Sequence, residues 1–174
     1  MAHLPVNHPA RPFVRLVAGG IGLYVLAFGV TGFVETRGES FFAREDTWAL
    51  GLQTNPAFSI LSILAGAVLL GGALIGRNVD HFVNLGGGVV FVASGVVMML
   101  VQRTDANLLN FAMPNVIVSL VIGMVLLHAG LYGKTGPPEM AQWEEQFRHS
   151  EAGEPTSQRS EQRPADDREA SERR

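Results

Sequence analysis

The chain has no cysteine, so neither a disulfide framework nor a thiolate metal site can organise it. Charge is nearly as scarce over most of its length. Of 13 basic and 16 acidic side chains, six and ten respectively fall between residues 135 and 174. The first 134 residues offer no basic face to neutralise phosphates, which excludes nucleic acid as a partner. Also missing are a nucleophile set beside a base, paired carboxylates within an apolar segment, a phosphate-cradling glycine loop and any nucleotide motif. No enzyme class and no cofactor is indicated.

What the chain does have is apolar sequence. No Asp, Glu, Lys or Arg interrupts residues 16–34, 47–76, 81–102 or 106–133. A bilayer core of about 30 Å needs about 20 apolar residues in a helix, and a helix satisfies its own backbone there. The expected fold is therefore an all-α membrane protein, a four-helix transmembrane bundle with spans near 16–34, 56–76, 82–101 and 108–133. A soluble four-helix core would show a polar stripe on each helix. The first span is too long for the apolar part of a signal peptide and runs into Thr36-Arg37 without a small-residue cleavage site, so it reads as a retained helix. Arg11, Arg15, Arg77 and Lys134 stand at one side of the spans against Arg37, Arg44 and Arg103 at the other. That bias, with an even number of spans, predicts both termini on the cytoplasmic side.

Residues 1–12, with prolines at 5, 9 and 12, read as an extended lead-in to a membrane domain covering 1–138. The segment 35–54 carries Phe41, Phe42 and Trp48 among charges and suits the outer lipid interface. Asn55-Pro56 has the form of an N-cap followed by an N1 proline. Arg77-Asn78-Val79-Asp80-His81 reads as a short link between antiparallel second and third helices, with Asp80 as a cap. Beyond Lys134, Gly136-Pro137-Pro138 stops the fourth helix. Met140, Trp143 and Phe147 predict an interfacial amphipathic helix over 139–149. Residues 150–174 contain no aromatic side chain and no Val, Ile, Leu or Met, so they are expected to be a disordered cytoplasmic tail.

The second and fourth spans repeat one another. Residues 66–77 over 123–134, an offset of 57, are identical at Gly66, Val68, Leu69, Leu70, Leu74 and Gly76. Phe13-Val14-Arg15-Leu16 over Phe82-Val83-Asn84-Leu85 gives a weaker match at an offset of 69. Two repeated helical hairpins would explain both. The repeat carries matched small-residue pairs, Ser62 with Gly66 and Gly72 with Gly76, against Ser119 with Gly123 and Ala129 with Gly133. Such spacing lets helix backbones approach, either within the bundle or across a homo-oligomer.

Two groups are candidates for more than packing. His81 and His128 fall at similar expected depth and could form a bis-histidine haem or metal site. A neutral histidine bonded to a backbone carbonyl is the plainer reading. No Asp, Glu, Lys or Arg lies inside the four expected spans, which disfavours energised transport. The richest polar group is an outer cluster of Gln53, Asn55, Asp105, Asn107 and Asn110, with Asn115, around Pro114. It is expected either to cap helix ends and satisfy backbone freed by the proline or to bind a ligand or partner.

The opening Ala2-His3-Leu4-Pro5-Val6-Asn7-His8-Pro9, the segment Gly76-Arg77-Asn78-Val79-Asp80-His81, the run Asp105-Ala106-Asn107-Leu108-Leu109-Asn110 and the close Leu131-Tyr132-Gly133-Lys134 resemble a family of actinobacterial four-helix membrane proteins described only as a domain of unknown function. The resemblance covers residues 1–137 and implies membrane location and helix number, with no activity or catalytic residue. The resulting expectation is a small non-enzymatic membrane protein, a structural, stress-related or accessory subunit working through lipid, a membrane partner or a second copy of itself. A passive small-molecule carrier or channel is the alternative, and a haem-binding redox subunit a further one.

Overall fold

The computed structural model describes residues 9–137. The segments expected to form an interfacial helix over 139–149 and a tail over 150–174 lie outside the described residues. Four helices carry the fold: α1 (Arg11–Glu35), α2 (Pro56–Ile75), α3 (Arg77–Val101) and α4 (Met113–Tyr132), with a minimal hairpin of β1 (Trp48–Ala49) and β2 (Leu52–Gln53) between α1 and α2. The most apolar 18-residue stretches of the four have mean hydropathies of 1.9, 2.3, 2.0 and 2.0, and each helix is long enough to cross a bilayer. The protein is a multi-pass helical membrane protein.

Three helix starts differ from the expected spans. α1 and α3 begin at Arg11 and Arg77 rather than at 16 and 82, and both run for 25 residues. At 1.5 Å per residue that is roughly 37 Å, longer than the hydrocarbon core, so a charged first turn can stand at the interface. Pro12 belongs to the first turn of α1, where its missing N–H costs no intrahelical bond. The expected link 77–81 is thus helix, and Gly76 alone joins α2 to α3, at φ 68°. Arg77 follows at φ 55°, so the chain reverses through two left-handed residues. Arg11, Arg15 and Asp80 consequently lie within helices, although no charge was expected inside a span.

α4 starts at Met113 rather than 108 because Asn110 takes a left-handed φ of 54° and the Asn107 side chain accepts the Phe111 amide at 2.8 Å, which shapes 107–111 as a turn. Pro114 then falls in the first helical turn and interrupts no internal bond, so it does not free the backbone group that the asparagines were expected to satisfy. At the head of α2, Asn55 is the N-cap, accepting from the Phe58 amide at 2.8 Å.

The architecture is a duplicated hairpin. α1 and α3 have equal length, as do α2 and α4 at 20 residues. The second pair is related by the offset of 57, and packing places the first pair at 66 rather than 69. A Cβ on Gly22 would lie 2.6 Å from the Leu70 amide nitrogen, and one on Gly88 would lie 2.7 Å from that of Leu127. Reciprocally, Gly66 abuts the Leu26 backbone and Gly123 the Val92 backbone. At this register Arg11, Val17, Gly20, Gly22, Ala27, Gly29 and Val30 recur as Arg77, Val83, Gly86, Gly88, Ala93, Gly95 and Val96. Since α1 and α3 are each antiparallel to α2, the two hairpins share one direction, and the operation relating them is a rotation about an axis along the bundle. Contacts are dense within each hairpin, α1 with α2 and α3 with α4, and sparse along the α2–α3 and α1–α4 seams.

The nine-residue difference between the two offsets falls in the loops joining the helices of each hairpin, 36–55 and 102–112. The longer one holds the β-hairpin, closed by Leu50-Gly51 with φ of 46° and 82°, the paired positive values of a type I′ turn. Near the opposite end, the core is Ala18, Leu69, Leu126 and Ala129 with Val25 and Ile122.

Because the glycine contacts are backbone to backbone, adding one methyl group must push helices apart. Gly66→Ala and Gly123→Ala should each lower stability by about 1–3 kcal/mol, as overpacking does. Gly71→Ala, whose Cβ meets nothing within 4 Å, should leave it unchanged or slightly raised. Unfolding in mixed micelles, followed by circular dichroism, makes the comparison.

Candidate functional site

At the end of the bundle bearing the two long loops, asparagines join one loop to the other. Asn55 Nδ2 donates to the carbonyls of Ala43 and Leu108 at 3.1 and 2.9 Å. Asn110 Nδ2 donates to those of Glu45 and Thr54 at 2.7 and 3.0 Å. Asn115 treats Gln53 as a strand would, its Oδ1 accepting the Gln53 amide at 3.1 Å and its Nδ2 donating to the Gln53 carbonyl at 2.8 Å. Asn107 Nδ2 donates to the carbonyls of Gln102 and Phe111. These four asparagines are buried, with their amide groups committed to backbone that irregular loops would otherwise leave unpaired. Gln53 Nε2 reaches the Glu45 carbonyl at 3.2 Å. Asp105 stands apart, fully exposed and paired with Arg44 at 2.9 Å. The expected outer residues are therefore close together, but their polar atoms face the loops they bind.

Beneath this cap lies a cavity of about 120 Å³ bounded by all four helices. Its wall follows the internal repeat. From α1 and α3 come Tyr24 with Val90, Val25 with Phe91 and Phe28 with Ser94, each pair 66 apart. From α2 and α4 come Phe58 with Asn115, Leu61 with Val118, Ser62 with Ser119 and Ala65 with Ile122, each 57 apart. Leu52 and Leu109, again 57 apart, roof it together with Phe111. The cavity thus sits on the axis relating the hairpins. Ser62 and Ser119 are largely buried as residues and line the cavity wall. Sequence reading assigned both serines to helix packing. The cavity was not foreseeable from it, because the α1–α3 register that brings the other half of the wall into place was off by three.

The opposite end is held by cations. Arg11 lies 3.4 Å from buried Asp80 and donates to the carbonyls of Gly133 and Arg77 at 3.2 and 2.9 Å. Arg15 donates to the carbonyls of Ala73 and Leu74. His81, 66 residues on from Arg15, donates through Nδ1 to the Gly130 carbonyl at 2.6 Å, 57 residues on from Ala73. The two basic groups play one role in the two repeats. Asp80 is not the cap expected of it, since Gly76 holds the N-cap position and Asp80 lies in the first turn of α3, where Oδ1 accepts the His81 amide and Oδ2 meets Arg11. Asn84, one turn along α3, buries an Oδ1 that has no hydrogen-bond partner among the described residues.

His128 stacks on Tyr132 with ring centroids 5.6 Å apart and lines a surface groove with Phe13, Val14 and Val17 of α1. His81 contacts the other face of α4, which turns towards α3 at Gly130 and Leu85. The two imidazoles do not converge. No group of three or more possible metal ligands occurs among the described residues.

The small-residue pairs are engaged inside the chain. Gly66 and Gly123 meet the first helix of their own hairpins, Gly72 meets Val83 of α3, and Ala129 lies in the core. A Cβ on Gly76 would strike the Arg15 guanidinium, and one on Gly133 would lie 2.9 Å from the Ala129 carbonyl oxygen.

The asparagine bonds make a graded prediction. Asn115→Ala removes three bonds to two backbone strands and should cost about 2–3 kcal/mol. Asn110→Gly keeps the left-handed backbone and should be milder than Asn110→Ala, which loses both the bonds and the permitted φ. Asp105→Asn should have no measurable effect. Detergent unfolding of the four variants tests the order.

No curated protein and no solved structure matches the chain. A family model described as a domain of unknown function (DUF4383) matches residues 15–132, from the first turns of α1 to the end of α4. This covers well over half of the chain and takes in both hairpins, the loop-end cap and the axial cavity, so the protein belongs to that family of domains of unknown function.

Proposed function

We propose that this is a non-enzymatic protein of the bacterial cytoplasmic membrane that acts through contacts made inside the bilayer, as an accessory or structural subunit, and does not pass solutes across it. The observation that carries this reading is the filled half of the bundle below the cavity. There Leu69 and its repeat mate Leu126 meet beside Gly87, and Ala18 and Ala129 complete the packing. A water path would have to replace these carbon contacts with polar groups along the axis. Outside, Leu64, Val68, Val97, Leu100 and Ile117 are among the large apolar side chains that present the bundle to lipid or to a membrane partner. Arg11, Arg15, Arg77 and Lys134 at the Gly76 end support cytoplasmic termini, with the asparagine-bound loops external.

A passive carrier is the second reading, favoured by the cavity lying between two repeated hairpins. Purified protein reconstituted into vesicles separates the two. The proposal expects release of entrapped protons, potassium and glycerol at the rate of protein-free vesicles, and faster release would select the carrier. For orientation, Ser40→Cys should react with a membrane-impermeant maleimide on intact cells, whereas Asn78→Cys should react only after the cells are opened. The reverse pattern would invert the topology.

A further inference from the structure

We infer that the axial cavity is a binding site for a neutral, ring-sized molecule or headgroup carrying hydroxyl or carbonyl oxygens at two opposite ends, taken up sideways from the bilayer. This goes beyond the proposed non-conducting role, which would hold whether or not the cavity is filled.

Size comes first. A volume of about 120 Å³ is close to that of an engineered apolar cavity of about 150 Å³ that binds benzene. It suits one six-membered ring and excludes a phospholipid headgroup. Charge comes next. No Asp, Glu, Lys, Arg or His lines the space, and an ion there would lose its hydration without compensation.

Polarity then narrows the class. Ser62 and Ser119 are 4% and 7% exposed, and both line the cavity. A serine in a transmembrane helix usually returns its hydroxyl to a carbonyl one turn back, as Thr31 does to Ala27 and Phe28. No such return bond is seen for Ser62 or Ser119, so their hydroxyls are available to a ligand in the space they line. They come from α2 and α4, which are related by the bundle axis and separated by α1 and α3. A ligand meeting both must therefore present polar atoms on opposite sides of its ring. An acyl chain fills volume but satisfies neither serine.

Access follows from exposure. Leu61 of α2 and Val90 of α3 line the cavity and are 50% and 61% exposed on the surface that faces lipid. Their exposure makes the sparsely packed α2–α3 seam the route of entry in this proposal. A tail attached to the ring could leave by the same route.

The test uses the full-length protein in lipid nanodiscs, with methyl NMR of Ile122 and Val118 as the readout and hydroquinone, toluene and decane as probes. The proposal expects hydroquinone to shift both methyl resonances saturably. The double variant Ser62→Ala/Ser119→Ala should weaken hydroquinone by on the order of tenfold, about what two modest hydrogen bonds contribute, and leave toluene unchanged or tighter. Ala65→Phe, which fills the space, should abolish both while Gly71→Ala leaves both intact. Circular dichroism and chromatographic behaviour establish that each variant is folded. Equal hydroquinone affinity in the native protein and the double serine variant would overturn the proposal. So would saturable shifts with decane alone, which would make this an acyl-chain pocket, or no shift with any probe, which would mean that the space holds only water. None of these results bears on vesicle permeability, so the non-conducting role and the ligand site stand or fall separately.

Discussion

Two backbone-to-backbone contacts, Gly22 against Gly66 and Gly88 against Gly123, set the geometry of everything else. In lipid there is no hydrophobic gain from pressing one apolar helix on another, so association depends on short-range dispersion. Dispersion falls away within an ångström of optimal contact, and glycine gives the closest approach. Each hairpin is consequently a tightly bound unit. The seams between hairpins have no comparable glycine-to-glycine contact, and the space left by two stiff units meeting through bulkier side chains is the cavity. Its shared wall positions follow directly, because both hairpins present the same face to the axis.

Polar groups finish the two ends by different means. Where the chain makes long excursions, amides of Asn55, Asn107, Asn110 and Asn115 take up carbonyls and N–H groups of the loops. An amide supplies both donor and acceptor, which suits backbone without regular partners. At the other end the needs are one-sided. Carbonyls in the last turns of α2 and α4 accept from side chains of the preceding helix, Ala73 from Arg15 and Gly130 from His81. The substitution of arginine by histidine between repeats keeps the bond to the equivalent carbonyl and gives up the second one that Arg15 makes to Leu74.

Helix number, the offset of 57 and the Asn55 cap were legible because each depends on local pattern: apolar length, identical residues and a side chain acting within its own turn. The ends of α1 and α3 were not, since Arg11, Arg15 and Asp80 look like boundaries until their partners across the bundle are known. The match of Phe13 to Phe82 was misleading for a related reason. Apolar residues facing lipid are interchangeable and match by chance, whereas Gly22 and Gly88, which touch another backbone, hold the true register of 66. The serines show the limit from the other side. Ser62 and Ser119 looked like packing residues beside a glycine, and only the position of four helices turns their hydroxyls into the polar features of an enclosed space.

Gly76 alone connects α2 to α3, and its consequence is mechanical. With one residue between them, the end of one helix and the start of the next are fixed at a common height, so the hairpins have no freedom to slide past each other along the membrane normal. Arg11 bridges the same region to Asp80 and Gly133. The relative motion left to the two halves is a rocking about that clamped end, as with a clothes peg. Displacement in such a motion grows with distance from the pivot, and the cavity lies on the far side of the packed leucines. A tilt of a few degrees would barely strain Leu69 and Leu126, yet would widen or narrow the proposed lateral route between Leu61 and Val90.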